Sequence, residues 1–431
     1  MTDATPVILV ALFVVGYAAI ILERPLKLDK SASALLIGVL CWSVYALGGD
    51  PRAASRELVG HLGELSGILF FLLGAMTIVE LIDAHGGFLV ITSRITSRSR
   101  RKLLVIIAIF TFFLSAIIDN LTTSIFMMSV VRKLVRDDED RMYYGGIVII
   151  AANSGGGWSP IGDVTTTMLW IGGQITTARL ITQLLIPSLV SILVPVAWGL
   201  HRLRGSVRGP DARETEGAID TCTTPRVQKI VLFTGVGALA FVPVFKTVTQ
   251  LPPFMGVLLG LGCLWLVTEL LHRGKPHTER DPLTVAGALQ RIDAPTILFF
   301  LGILLAISAL QSVGILHGLA ERMDRSLPNI DVITVSVGLS SAVIDNVPLV
   351  GAMQGMYPLT MFPTDHHFWI FLAYCAGTGG SILIIGSAAG VAVMGLQRIS
   401  FGWYLRRFSV LALCGYLAGA LCYLGMRWAG L

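Results

Sequence analysis

The sequence predicts an all-α polytopic membrane protein with two inverted repeats, each containing a re-entrant helical hairpin and a broken transmembrane helix. Composition, the length of the apolar runs and a motif that occurs twice support this prediction. Hydrophobic residues make up 54% of the 431 residues and charged residues 14%, whereas soluble domains carry about 25% charged residues. Apolar runs of about 17 to 23 residues recur, and that length spans a bilayer core.

A six-residue motif occurs in both halves of the chain with one difference. Ser115-Ala-Ile-Ile-Asp-Asn120 is matched by Ser341-Ala-Val-Ile-Asp-Asn346, and both copies lie inside very apolar segments. An ionisable residue in lipid is costly, and polar interruptions at matching positions of two halves point to a transporter's binding site. We interpret the two copies as a duplicated cation site. The alternative is that each Asp only caps the next helix.

Eight ordinary spans are predicted from the apolar runs and the residues that interrupt them. The first run has no basic segment before it and no small-residue cleavage site, so it is expected to remain as a span and not to be removed as a signal peptide. The spans are predicted near residues 6–22, 32–48, 62–83, 181–200, 228–246, 254–271, 296–314 and 405–426.

Two further apolar regions are predicted to be re-entrant hairpins. Residues 103–134 are interrupted by Asp119-Asn120, and each half offers only about 15 residues against the roughly 20 that a crossing requires. A helix-turn-helix with Asp-Asn at its tip resolves this conflict, and residues 333–356 repeat the pattern around Asp345-Asn346. The first hairpin is expected to enter from the inside and the second from the outside, which makes the repeat inverted.

Each hairpin is followed by a span with a polar, glycine-rich middle. The first broken span, 144–171, contains Asn153-Ser-Gly-Gly-Gly-Trp-Ser-Pro-Ile-Gly-Asp163, and the second, 368–396, contains Gly377-Thr-Gly-Gly-Ser-Ile-Leu-Ile-Ile-Gly-Ser387. Glycine lets a backbone unwind, although glycine runs also serve helix packing. The chain is expected to divide into a first half (1–200), a cytoplasmic linker (201–227) and a second half (228–431).

Most Lys and Arg residues fall in loops that this topology places inside, as the positive-inside rule requires. Both termini are therefore predicted outside, in a multi-pass protein of the cell inner membrane. The net charge of +5 comes with cations that lie in short loops between spans. Their position indicates membrane topology, so the expected partner is the bilayer and not a nucleic acid. The sequence contains no phosphate-binding loop, which argues against ATP as the energy source.

The embedded acids are Asp119, Asp163 and Asp345, and no Lys or Arg stands in the hairpins' apolar cores or the broken-span loops. Carboxylates without cationic partners predict a site for cations or protons, and unpaired carbonyls at helix breaks add oxygen ligands. A proton and Na⁺ would exclude each other at one carboxylate, and this competition gives antiport. Asp163 has Ser387 as its counterpart, so it is expected to sense protons or to be a second ligand.

The paired hairpin tips and the stretch Asn153–Thr167 resemble the sodium/proton antiporters of the NhaD type, in a superfamily with arsenite permeases and divalent-anion:sodium symporters. The segment Leu22–Lys30 is similar too, and the likeness runs from about residue 8 to 427. The resemblance implies a homodimer, a static scaffold, and hairpins and broken spans that move like an elevator. No cofactor is expected. The ion- or proton-binding residues expected from the site and the resemblance are Asp119, Asn120, Thr123, Asn153, Ser154, Asp163, Thr165, Thr166, Ser341, Asp345, Asn346, Thr378 and Ser381, with Na⁺ at Asp119, Asn120, Asn153, Asp345 and Asn346.

The functional hypothesis is a secondary transporter that exchanges Na⁺ or Li⁺ for H⁺ and serves pH homeostasis. One rival is an arsenite or other oxyanion permease on the same fold, although acidic hairpin tips would repel anions. The other rival is a membrane-embedded hydrolase with paired aspartates. The sequence lacks an accompanying nucleophile or metal motif, so no enzymatic activity is expected.

Overall fold

The structure is a computed structural model that describes residues 5–92, 97, 99–207, 223–274, 281–327 and 329–430. Within these ranges the chain is almost entirely helical, and β-structure is limited to an isolated bridge between Ser99 and Ser206. Seven of the described helices are long and apolar enough to cross a membrane. The prediction of an all-α polytopic membrane protein is confirmed.

Each of the eight predicted ordinary spans corresponds to a helix. The first is Thr5–Ile21, which has 17 residues. The other seven are Lys30–Gly48, Pro51–Ala84, Thr177–Arg202, Pro225–Thr249, Pro253–Leu271, Ala294–Ser312 and Phe401–Trp428.

The helix Pro51–Ala84 starts well before the predicted residue 62. Asp50 caps it, because its Oδ1 accepts a hydrogen bond from the Arg52 N–H at 2.9 Å, and proline suits the first helical position.

Both predicted hairpins consist of two helices joined by a short turn. Hairpin 1 comprises Arg100–Ser115 and Asn120–Leu134, and hairpin 2 comprises Ile330–Ser340 and Asn346–Met356. Each turn contains an Asp that caps the second helix, and local hydrogen bonding therefore ends one helix and starts the next. The sequence breaks at Asp119-Asn120 and Asp345-Asn346 thus coincide with the helix breaks.

Both predicted broken spans are interrupted helices. Broken helix 1 comprises Asp138–Gly156 and Val164–Ile171, and broken helix 2 comprises His367–Gly379 and Ala388–Gln397. Broken helix 1 begins earlier than the predicted residue 144, because Asp137 caps it by accepting from the Asp140 N–H at 2.9 Å. Residues 208–222, most of the predicted linker, lie outside the described residues.

The helices pack in two groups. The six-helix group contains Thr5–Ile21, Lys30–Gly48, Pro51–Ala84, Pro225–Thr249, Pro253–Leu271 and Ala294–Ser312. The hairpin group contains both hairpins, both broken helices, and the helices Thr177–Arg202 and Phe401–Trp428. Contacts between the groups are fewer, and they run mainly from Ala294–Ser312 to Asn346–Met356 and from Pro51–Ala84 to Val164–Ile171.

Candidate ion-binding site

Four polar side chains cap the four half-helices that meet inside the hairpin group. Asp119 accepts from the Thr122 N–H at 2.8 Å, and Asp345 accepts from the Val347 N–H at 3.2 Å. Asp163 accepts from the Thr165 N–H at 2.9 Å, and Ser387 accepts from the Gly390 N–H at 3.2 Å. Capping of the following helix is therefore confirmed for both hairpin tips. A capping carboxylate retains further lone pairs, so this role leaves it able to bind an ion.

Asp163 lies at the point where the hairpin tips meet broken helix 1. Its side chain is buried, at 1% exposure. The Asn120 amide donates to Asp163 Oδ2 at 2.8 Å, and the Asn346 amide lies 3.4 Å from both carboxylate oxygens. The Thr165 hydroxyl donates to Oδ1 at 2.9 Å. One buried carboxylate thus receives donors from both halves of the chain.

Asn153 extends this network into broken helix 2. Its side-chain nitrogen donates to the hydroxyls of Ser381 and Ser387, at 2.9 Å each. Its Oδ1 accepts from the Asn120 amide at 3.0 Å. Amide and hydroxyl oxygens are ligands that a small hard cation accepts. The structure therefore joins Asn120, Asn153, Asp163, Thr165, Asn346 and Ser381 in one polar cluster.

The other predicted hydroxyl residues brace the backbone around this cluster. Ser341 donates to the Ala376 carbonyl at 2.9 Å, and Thr378 donates to the Tyr374 carbonyl at 2.6 Å. Thr166 donates to the Ser159 carbonyl at 2.7 Å, and Thr123 contacts the Ile118 carbonyl at 3.4 Å. Ser154 accepts from Ser191 at 2.8 Å, a partner on the helix Thr177–Arg202 that sequence reasoning missed.

Within the described residues, no hydrogen bond joins the Asp119 or Asp345 carboxylate to the Asp163 cluster, and each carboxylate faces a different neighbour. The second carboxylate oxygen of Asp119 accepts from the Thr122 hydroxyl at 2.7 Å. Asp345 Oδ2 lies 3.9 Å from the Lys30 ammonium. The expectation that the embedded acids have no cationic partner is wrong for Asp345. Lys30 enters from a separate helix, and its place beside a predicted span had assigned it to a loop.

A cavity of about 890 Å³ lies between the two helix groups and reaches the tip of hairpin 1 and Lys30. Thr122 and Lys30, the neighbours of Asp119 and Asp345, are part of its wall. Besides Lys30, the charged residues of its wall are Glu80, Asp83, Asp293, Lys133 and Arg291. Glu80 and Asp83 lie at the C-terminal end of the helix Pro51–Ala84, which the predicted topology places inside.

A smaller cavity of about 440 Å³ lies further towards the N-terminus of the same helix. Its wall includes His61 and Glu64 from the six-helix group, and Gln174 and Gln354 from the hairpin side. The two cavities have no lining residue in common. The two cavities therefore lie at two separate places between the six-helix group and the hairpin group.

Glycines allow each hairpin to approach its broken helix. A Cβ on Gly155 would collide with the Phe112 carbonyl oxygen, and a Cβ on Gly379 would collide with the Gly338 carbonyl oxygen. Gly155 lies in the last turn of its half-helix and Gly379 is the last residue of its half-helix, and both allow close packing there. Ser115 donates to the Ala152 carbonyl at 2.6 Å, which matches the Ser341 contact in the other half.

The known proteins to which this chain is similar are all named as transporters or antiporters. The model of a family described as citrate transporter matches residues 17–369. Sodium/proton antiporter 1 of Arabidopsis thaliana is 50% identical over 96% of this chain and 72% of its own length. Sodium/proton antiporter 2 of the same plant is 46% identical, over 96% and 98%. The Na(+)/H(+) antiporter NhaD of Alkalimonas amylolytica is 30% identical, over 97% and 90%.

The apolar helices, the paired helix breaks and these relatives define a multi-pass membrane transporter of ions. The chain belongs to the citrate transporter family and, within it, to the group of the NhaD-type sodium/proton antiporters.

Proposed function

We propose that this protein exchanges Na⁺ or Li⁺ for H⁺ and exports the metal ion as protons enter the cell. The observation that carries the proposal is the buried Asp163 carboxylate, which receives amide and hydroxyl donors from both hairpin tips and from its own helix. The names of the relatives support Na⁺ and H⁺.

Competition at carboxylates is the proposed coupling. A buried carboxylate strongly favours neutralisation, which either a bound cation or a proton supplies. Rotation of the Asn120 and Asn346 amides would turn their oxygens towards a cation beside Asp163, where Asn153 offers another oxygen. The carrier then crosses with one ion or the other, and exchange follows if the empty, charged form does not reorient.

The binding residues proposed at the start are retained, with Asp163 now central. Asp119 and Asp345 contact Thr122 and Lys30, which line the larger cavity. They are therefore proposed to receive the ion before it reaches Asp163. No resident cofactor is proposed.

The division into two helix groups with cavities at two places on their boundary supports movement of the hairpin group against the six-helix group. The larger cavity extends from the end of the helix Pro51–Ala84 that is predicted inside to the tip of hairpin 1, so we assign this state to the inward-facing form. The inverted repeat, the homodimer, the outside termini and the inner membrane stay predictions. Labelling of terminal tags from either side of the membrane tests the topology.

The experiment uses everted membrane vesicles that contain the protein, with an acid-accumulating fluorescent dye. A respiration-driven pH gradient quenches the dye, and addition of Na⁺ or Li⁺ is expected to restore fluorescence in these vesicles and not in transporter-free ones. Arsenite and citrate are the comparison arms, since the family model carries the name of a citrate transporter. A response to these anions alone would replace cation exchange by anion transport.

A further inference from the structure

Lys30 is held at the tip of hairpin 2 by two contacts. Its ammonium nitrogen lies 3.9 Å from Asp345 Oδ2 and 4.6 Å from the centroid of the Phe299 ring. Phe299 is fully buried, and the Lys30 and Asp345 side chains are 25% and 19% exposed. An ammonium between a carboxylate and an aromatic face is stabilised on both sides.

The position of Lys30 opposes its local helix preference. It is the first residue of the helix Lys30–Gly48, where the helix dipole disfavours a positive charge. Asp29 is the helix cap, and the Ser31 N–H, at 2.7 Å, holds the pKa of Asp29 below its usual range. Asp29 therefore caps the helix start without any contribution from Lys30. The carboxylate of Asp345 is the contact that favours a lysine at position 30.

The Lys30–Asp345 pair joins the two helix groups. Lys30 belongs to the six-helix group and Asp345 to the hairpin group. Lys30 also lines the larger cavity. A cation that enters this cavity and approaches Asp345 therefore finds the Lys30 ammonium already beside the carboxylate. Asp119, at the other hairpin tip, has no Lys or Arg within 4.0 Å among the described residues. The two tips are chemically different.

We propose that Lys30 is a tethered cation that neutralises Asp345 in the empty, inward-facing protein and must leave before Na⁺ or a proton binds there. This role rests on the proposed exchange function and adds a residue that sets ion affinity. The ammonium holds the hairpin group in the inward-facing position until an ion from the cavity displaces it. The empty carrier is thereby discouraged from crossing, which is the condition for coupled exchange.

The first test is the Na⁺ dependence of exchange in everted vesicles, where added Na⁺ reaches the inner face. A partly exposed ion pair contributes roughly 1 kcal/mol, which corresponds to about a fivefold change in affinity. Lys30→Met is therefore expected to lower the half-saturating Na⁺ concentration about fivefold, with the maximal rate within about twofold. Lys30→Gln should act similarly, and Lys30→Arg should stay near the parent protein.

Lys27→Met is the matched control, because Lys27 is an exposed lysine in the turn three residues before Lys30. It removes one charge without touching Asp345 and is expected to leave half-saturation unchanged. Equal half-saturation in the Lys30→Met and Lys27→Met proteins would overturn the proposal. Loss of exchange at every Na⁺ concentration in both Lys30→Met and Lys30→Gln would also overturn it. A group that only competes with Na⁺ for Asp345 is not required for transport.

The second test does not require transport. Ser129 is exposed on the wall of the larger cavity, so Ser129→Cys in a chain without other cysteines reports the opening of that cavity to an impermeant thiol reagent. In Na⁺-free buffer, Lys30→Met should slow labelling from the inner face, and in an Asp345→Asn background it should add nothing. Unchanged labelling would refute the tether. Absence of exchange in the parent protein, with this labelling difference present, would refute only the proposed function.

Discussion

The Asn120 side-chain amide donates to Asp163 Oδ2 across 2.8 Å, whereas the corresponding Asn346 amide stands 3.4 Å from the same atom. Both donors come from hairpin tips, so the two halves of the chain contribute unequally to one carboxylate. Asn120→Ala is expected to raise half-saturating Na⁺ about tenfold, because it removes an oxygen ligand and leaves Asp163 with one hydrogen bond fewer.

Asn346→Ala should raise half-saturating Na⁺ less than Asn120→Ala, since its contacts are longer. Na⁺ titration of vesicle exchange measures both variants. Asn329→Ala, at an exposed helix cap, is the control and should match the parent. An order of effects opposite to this one would argue against a site centred on Asp163.

Neutral replacement of any embedded acid should abolish exchange. Asp163→Asn, Asp119→Asn and Asp345→Asn keep the size and the capping oxygen of the side chain but can neither carry the charge nor bind the proton. Each variant should therefore insert normally and show less than about 1% of parental exchange, which corresponds to a loss of roughly 3 kcal/mol.

Asp137→Asn tests whether loss of an aspartate cap alone has this effect. Asp137 caps the start of broken helix 1, outside the Asp163 cluster, so this variant should keep its activity. Retained exchange in both Asp119→Asn and Asp345→Asn would contradict the proposal that Na⁺ and H⁺ compete for these carboxylates.

Close packing of hairpin 1 on broken helix 1 should depend on Gly155. In Gly155→Ala the new methyl group would meet the Phe112 carbonyl oxygen, a backbone atom that cannot turn away. Overpacking of this kind costs about 1–3 kcal/mol, so thermal unfolding in detergent should shift to lower temperature.

Gly395→Ala is the matched control for that substitution. Gly395 also lies in a half-helix, but a Cβ there meets open space. Alanine should stabilise this helix by up to about 1 kcal/mol. If the unfolding temperature changed equally in the two variants, the close approach of Gly155 to the Phe112 carbonyl would not contribute to stability.

Movement between the two helix groups predicts that a cross-link between them stops exchange. A Cβ on Gly351 would lie 3.0 Å from Leu304 Cδ2, so Leu304→Cys with Gly351→Cys places one thiol on each group. A short bifunctional thiol reagent should block exchange in this pair, and reduction of a cleavable reagent should restore it.

The control pair is Ala238→Cys with Gly260→Cys, inside the six-helix group. A Cβ on Gly260 would lie 2.8 Å from Ala238 Cβ, and both helices belong to the part that is expected to stay still. Full cross-linking should leave exchange intact here. Continued exchange in the fully cross-linked Leu304–Gly351 protein would contradict movement of one group against the other.

Local sequence patterns were sufficient for the elements. The apolar runs predicted the long helices, and the polar breaks at Asp119-Asn120 and Asp345-Asn346 predicted the hairpin turns. The same breaks predicted capping as one reading of the aspartates, and that reading is confirmed. Helix starts were less accurate, as Pro51 shows, because a capped, partly polar first turn carries little hydropathy signal.

The sequence by itself determined the membrane class, the two breaks in each half and the presence of three embedded acids. Polar groups in apolar segments are energetically costly, and that cost is visible in a local pattern. Only the tertiary structure decided which of these groups meet. Asn346 reaches Asp163 from 183 positions away, and Lys30 reaches Asp345 from a different helix group. Such contacts depend on how whole helices pack against each other, and no local spacing of residues encodes that arrangement.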